Sequence, residues 1–421
     1  MTSPTLRKPT IAWLSFSPDE IERACALVRA LDGEGVLDEL GFGPLQGAFA
    51  DRFYPATSTI QTRCRYVFFV GSVYRHIERA RRTSEREVDE RVRGMLSQLC
   101  AVLDGNEKLG VIGSRSGGAV KRVPSNVYWA ALQQLGIFRW RMSERSYQQE
   151  IAGSARRAAV HDDDKRVMGS AGSDSAWDTT APIADLRETG DRFPADTSFR
   201  LTRPEAASLR ARIDELDRQR VHGPSLTAHL VAHGSEWTPD SLDAPWSAPR
   251  LPPGLREAVK HAEALSLIAR GIILQYHVML IEARAGKGWA SADVGLRDKF
   301  VEWFPKARAR LAAWDLNALG ALPFVSEVTR VLEDLAFLRS WLTLLLESSD
   351  AAKLLDDRRA RELIRVREFQ KRPRKARLRN ERFLKDWRPR ARYEGLHELH
   401  YRHRVGGDMA HDIVRGLAEP A

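Results

Sequence analysis

Three cysteines in 421 residues, Cys25, Cys64 and Cys100, are too few and too far apart for a disulfide framework, and no CxxC spacing offers a zinc knuckle. That scarcity fits a reducing cytoplasm. Long apolar runs are missing as well: the longest, GIILQYHVMLI from Gly271, is 11 residues and includes Gln275 and His277, too short to cross a bilayer. The start, MTSPTLRKPTIAWLSFS, has no continuous apolar stretch or small-residue cleavage site, so no secretory signal is expected. A cytoplasmic protein with no membrane partner is the expectation. Convincing strands are scarce too, with VIG at 111 and IFRW at 137 as the best candidates for a small wing.

What remains is helix. At 43% apolar composition the chain can bury a sizeable core. Helices are expected over 17–31, 44–53, 58–82, 84–103, 125–135 and 143–152, several of them opening on a hydroxyl with a capping pattern. Thr202-Arg203-Pro204-Glu205 is another capping box, opening a helix to about Arg220, and a short helix follows over 225–233. Two long helices, 255–284 and 323–347, are expected with a shorter one, 296–314, and segments of the long two are apolar around much of their circumference, as in the centre of a bundle. From 151 to 200 Asp, Ser and Gly accumulate and no apolar period survives. The expected fold is mainly α: multi-helix bundle lobes with at most a small β wing. Its expected parts are an N-terminal helical lobe (1–150), a mobile insertion or linker (151–200) and a C-terminal bundle (201–421).

The net charge of +10 is concentrated: residues 358–392 hold 16 Lys and Arg against 4 Asp and Glu, and the other 386 residues sum to −2. If 375–387 is helical, Ala376, Asn380, Phe383, Leu384 and Trp387 form one inward stripe, while Arg377, Arg379, Arg382 and Lys385 point outward. Arg358, Arg361 and Arg365 follow i, i+3, i+7 as a second basic line, and Lys371, Arg372, Arg374 and Lys375 surround Pro373. Such a face suits a polyanion with phosphates repeating along an axis, and it predicts phosphate contact more than base readout. A solvated helix face, or a surface docking an acidic protein, is the alternative.

Other motifs are weaker. The loop GVIGSRSGGAVKRVPSN (110–126) combines glycines with Arg115, Lys121 and Arg122 as a candidate phosphate cradle, or simply as a basic wing. It is not a Walker loop, since Gly118 is followed by Ala119. GFGPLQG (41–47) has one residue too many for a dinucleotide fingerprint. His397, His400, His403 and His411 lie near Asp408 and Asp412, but HELH sets its histidines three apart, so no metal is assigned. No nucleophile elbow, HxK pattern or carboxylate pair followed by ExK is present. No cofactor is expected, no catalytic residue is assigned, and whether the protein is an enzyme stays open, with a non-catalytic role preferred.

The stretch FYPATSTIQTRCRYVFFVGSVYRHIERARR, from Phe53, places two arginines beside Cys64. On a helical wheel Arg65 falls in a polar sector, as an exposed cation, whereas Arg63 lies among Tyr66, Val67, Val70 and Tyr74. A half-buried guanidinium demands a partner. Either Asp51, Asp38 or Glu39 neutralises Arg63, or Thr57, Ser58 and Thr59 join it and the free amides of the helix start in a candidate anion site.

Several blocks in order carry a resemblance: IAWLSFSPDE, VLDELGFGPLQGAFADRFYPATSTIQTRCRYVFFVGSVYRHIE, IGSRSGGAVKRVPSNVYWAALQQLGIF and RELIRVREFQKRPRKARLRNERFLKDW. Together they resemble an uncharacterised bacterial family, a domain of unknown function found in genome-defence gene neighbourhoods with helicases and nucleases. Where that family ends with an aromatic and basic block like Tyr-Arg-Trp, this chain has Tyr401-Arg402-His403, so His403 is outside the pattern. The resemblance implies a context and protein partners from a defence cluster. With the charge pattern, it leads to a nucleic-acid-binding, non-catalytic subunit of a bacterial anti-phage assembly, DNA being favoured over RNA. The alternatives are a metal-dependent nuclease of the same context and an interaction scaffold docking an acidic protein.

Overall fold

The computed structural model describes residues 39–80, 84–107, 109–113, 123–162, 175–220, 223–289, 295–387 and 399–420. The first helices are α1 (Gly43–Phe53), α2 (Tyr66–Arg79), α3 (Glu85–Asn106), α4 (Pro124–Gln134) and α5 (Glu144–Asp162). Next come α6 (Arg203–Gln219), α7 (Leu226–Ala232), α8 (Pro253–Ala285), α9 (Leu296–Leu311), α10 (Leu316–Ala321), α11 (Pro323–Ser326) and α12 (Val331–Glu347). The last are α13 (Ala351–Asp356), α14 (Arg358–Lys371), α15 (Glu381–Asp386) and α16 (His403–Leu417). The fold is mainly α. Among the described residues no sheet forms, and the expected wing reduces to one bridge between Phe138 and Trp177.

Local chemistry sets many of the boundaries. Ser84 caps α3 by accepting from the Glu87 amide, Ser225 caps α7, and Thr202 with Glu205 forms the complete capping box of α6. The helix expected over 58–82 begins only at Tyr66, and the one expected over 323–347 is interrupted between α11 and α12, where Arg330 adopts a left-handed φ of 60°. The expected helix over 17–31 lies outside the described residues.

The helices converge on one hydrophobic core. α2 packs on α3 and α4, α8 on α9, and α12 on α14, while α16 lies against α6 and α7. α8 is long and apolar enough to cross a membrane by length and composition, but 72% of its apolar window is buried inside the protein, the position of a core helix. Within residues 175–200, expected as part of a mobile insertion, Trp177, Ile183, Leu186, Phe193 and Phe199 are buried while much of the stretch between them is exposed. Trp177 stacks at 26° to Tyr74, meets Phe138 tilted at 59° with centroids 5.1 Å apart, and donates its indole N–H to Tyr147 at 2.7 Å. Residues 163–174 lie outside the described residues.

The lobes expected at 1–150 and 201–421 are tied by the last helix. Gly406 of α16 sits so close to the Tyr54 ring that a Cβ there would overlap it, and the Tyr54 hydroxyl bonds His403 Nδ1 at 2.5 Å. The other nitrogen of His403 faces the Leu242 carbonyl at 2.8 Å.

Candidate nucleic-acid interface

The basic segment is built around a buried polar spine. Asp357 caps α14 by accepting from the amides of Arg359 and Ala360. Ala360, Ile364, Arg367 and Glu368 then form the buried stripe of that helix. Arg367 is a core residue: it donates to Asp334 at 2.7 Å and to the Leu40 carbonyl at 2.7 Å, and it lies over the Phe337 ring. Lys371 reaches the same Asp334 oxygen at 2.9 Å, its stem packed where a side chain on Gly41 would sit; Gly41 holds φ +73°. Glu368 accepts from the Tyr276 hydroxyl at 2.6 Å and from the amides of Arg377 and Leu378 at 2.7 and 3.1 Å. Burial, with the nearby Glu39 and Glu368 carboxylates, pushes the Tyr276 phenol well above its ordinary pKa, so it stays a donor.

This spine redistributes the cations that the sequence places on one outward face. The expected helix over 375–387 is replaced by turns and the short α15, because Glu368 captures the amides of 377 and 378 and Asn380 caps a new helix start. Ala376, Leu384 and Trp387 are nonetheless buried, as the inward stripe requires. Three expected contact residues are half-buried internal partners instead: Arg361 of Glu282 and Asp356, Lys371 of Asp334, and Arg377 of Glu39. Burial raises the Glu39 carboxyl, and the Arg377 charge works against that rise.

Outside this group, Arg372 is half-buried, and Arg358, Arg365, Arg374, Lys375, Arg379, Arg382 and Lys385 are exposed. Arg365 pairs with Glu362 at 3.4 Å, both side chains in solvent. Such a pair is worth about 0–1 kcal/mol, so a phosphate can displace it. Two apolar side chains share the surface, Val366 and Phe369, and the Arg379 guanidinium lies 4.3 Å from the Phe369 ring centroid. Phe369 had a readable signal: it falls out of phase with the stripe of Ala360 and Ile364 on a helix rich in charge.

The candidate anion site around Arg63 does not assemble. Arg63 is neutralised by Asp412 of α16, with Nε to Oδ2 at 2.9 Å and Nη2 to Oδ1 at 2.6 Å, and its guanidinium lies over Phe199. The amides of Thr62 and Arg63 are taken, since the Tyr128 hydroxyl accepts from both at 2.9 and 3.0 Å and donates to the Arg63 carbonyl. Thr57 donates to the Tyr54 carbonyl, the Ser58 amide to Gln61, and Thr59 is exposed in a turn. The expected partners are engaged or out of view: Asp51 pairs with Arg402, Glu39 with Arg377, and Asp38 lies outside the described residues. Arg65, expected in solvent, is half-buried, donating to Glu205 at 3.1 Å and to the Ser198 carbonyl at 2.7 Å.

Arg115, Lys121 and Arg122 lie outside the described residues, as does His397. Among the described residues no group of three or more His, Cys, Asp and Glu side chains is placed to hold a metal. A cleft of about 1250 Å³ between α4 and α6 is lined by Trp140, Arg139, Arg141 and Arg212. Asp178, one of its lining carboxylates, is already saturated: burial raises its pKa, but Arg212 and Thr180 bring it down to about 2, and Arg139 adds a further bond.

The sequence matches a family of unknown function, DUF6361, over residues 9–409, and the chain belongs to it. No curated protein matches it, and no solved structure does.

Proposed function

We propose that this protein binds nucleic acid, DNA in preference to RNA, through the exposed surface of α14, the turns after it and α15, and that it serves as a non-catalytic subunit of a cytoplasmic bacterial genome-defence assembly. One observation carries the binding reading. Once the internal pairs of Arg361, Arg367, Lys371 and Arg377 are set aside, the same stretch still presents Arg358, Arg374, Lys375, Arg379, Arg382 and Lys385 to solvent, with Arg365 only loosely held. A surface of this kind binds phosphates without reading bases. The defence context is supported by the resemblance of the sequence blocks.

The experiment is binding of random-sequence DNA across a salt series. Affinity should fall by roughly three orders of magnitude between 50 and 200 mM salt if about six phosphates are held. Arg374→Glu, Arg379→Glu and Arg382→Glu together should abolish it while leaving the melting temperature within a few degrees, because none of the three anchors the spine. Binding that ignores both salt and these changes would sink the reading. No DNA binding, together with salt-sensitive capture of a polyglutamate, would favour a surface that docks acidic proteins.

A further inference from the structure

We propose that Phe369, with Arg379 stacked on it, is a platform for an unpaired base, so that the polyanion held on this face is single-stranded rather than duplex nucleic acid. The proposal rests on the nucleic-acid reading above and names its ligand. Among the described residues Phe369 is the one Phe, Tyr or Trp whose side chain is exposed, at 39%, and Val366, three residues before it on α14, is the neighbouring apolar exposure at 37%. The other aromatic rings of the described chain are buried or partly buried in a core that had room for many of them. One exposed ring is ordinary by itself; what marks Phe369 is that the Arg379 guanidinium lies over it among exposed cations of the same segment.

The ring's surroundings fit a nucleotide. Arg379 places its guanidinium 4.3 Å from the ring centroid, and a stacked guanidinium is planar, so the pair offers a base either the ring itself or the outer face of the cation. Arg365 is the i−4 neighbour of Phe369 on the same helix and is exposed, in reach of a phosphate flanking the stacked base. Arg374 and Lys375 follow in the turn just beyond α14 and are exposed. Stacking of this kind is sequence-tolerant, since every base has a π-face. A duplex hides those faces, and a ring on a convex helix surface reaches them only by prying a base step apart.

The test uses the full chain with oligo(dT) and a duplex of equal length at low salt, for wild type, Phe369→Ala and Phe369→Trp. The expected result is tighter binding of oligo(dT) than of duplex, and about tenfold weaker oligo(dT) binding by Phe369→Ala with duplex binding unchanged. Phe369→Trp should restore or exceed the wild-type value. The exposed position keeps the melting temperature of both variants near wild type, which separates stacking from folding. If Phe369→Ala leaves oligo(dT) binding untouched, or weakens both ligands equally, the platform is wrong while the phosphate-binding reading stands. If wild type binds neither ligand in a salt-dependent way, the underlying reading falls and the platform with it.

Discussion

Arg63 and Asp412 stand 349 residues apart in the chain and meet in a two-point ion pair, with the carboxylate 6% exposed and the guanidinium 25%. Removing one partner leaves the other charge desolvated and alone. Arg63→Ala should therefore cost about 3 kcal/mol of stability, whereas the double change Arg63→Met with Asp412→Leu should cost much less than Arg63→Ala alone. Urea unfolding midpoints of the three proteins decide this. An equal loss from the single and the double change would contradict the claim that the orphaned carboxylate is what costs stability.

Asp334 gives the second prediction, because one of its oxygens takes both Arg367 and Lys371 and so fixes α14 against α12 and the Leu40–Gly41 backbone. Asp334→Ala should destabilise by about 3–5 kcal/mol, while Arg374→Ala should change stability by no more than about 0.5 kcal/mol. Thermal unfolding of the two variants sorts anchoring charges from surface charges within a single basic segment. Similar melting temperatures would contradict the sorting.

His277 gives a pH dependence. Burial first, and then the charge of Arg377, lower its pKa to about 3, and its ring stacks at 9° on Trp387. The folded state keeps the ring neutral while the unfolded chain protonates it near 6.5, so the stability it supports is complete above pH 6.5 and is lost as the pH falls towards 3. The slope is up to about 1.4 kcal/mol per pH unit. His277→Phe should have a visibly flatter loss of stability between pH 6.5 and 5 than wild type, whatever its stability at neutral pH. An unchanged slope would place the acid sensitivity elsewhere.

The helical class and several helix starts were legible because capping is local: Ser84, Thr202 and Ser225 act on amides within three residues. The half-burial of Arg63 was legible from its place in an apolar stretch. Its partner was not, because a pairing with Asp412 across the whole chain leaves no pattern in either neighbourhood. The start of α2 was misread for a similar reason. The hydroxyl of Tyr128 satisfies the amides of Thr62 and Arg63, so the chain needs no helix before Tyr66. In the basic segment the amount of charge could be read, but its division between inside and outside depends on Glu39, Glu282 and Asp334, acids remote in sequence.

The seat of Tyr54 against Gly406 and His403 bears on how the protein comes into being. Tyr54 leaves the ribosome 349 residues ahead of His403, so during almost all of synthesis its ring has no glycine to lie against and its hydroxyl has no imidazole. Contacts this distant in sequence form late and close the largest loops. The aromatic cluster around α1 thus has to wait, exposed or in the care of other macromolecules, until nearly the last helix is made.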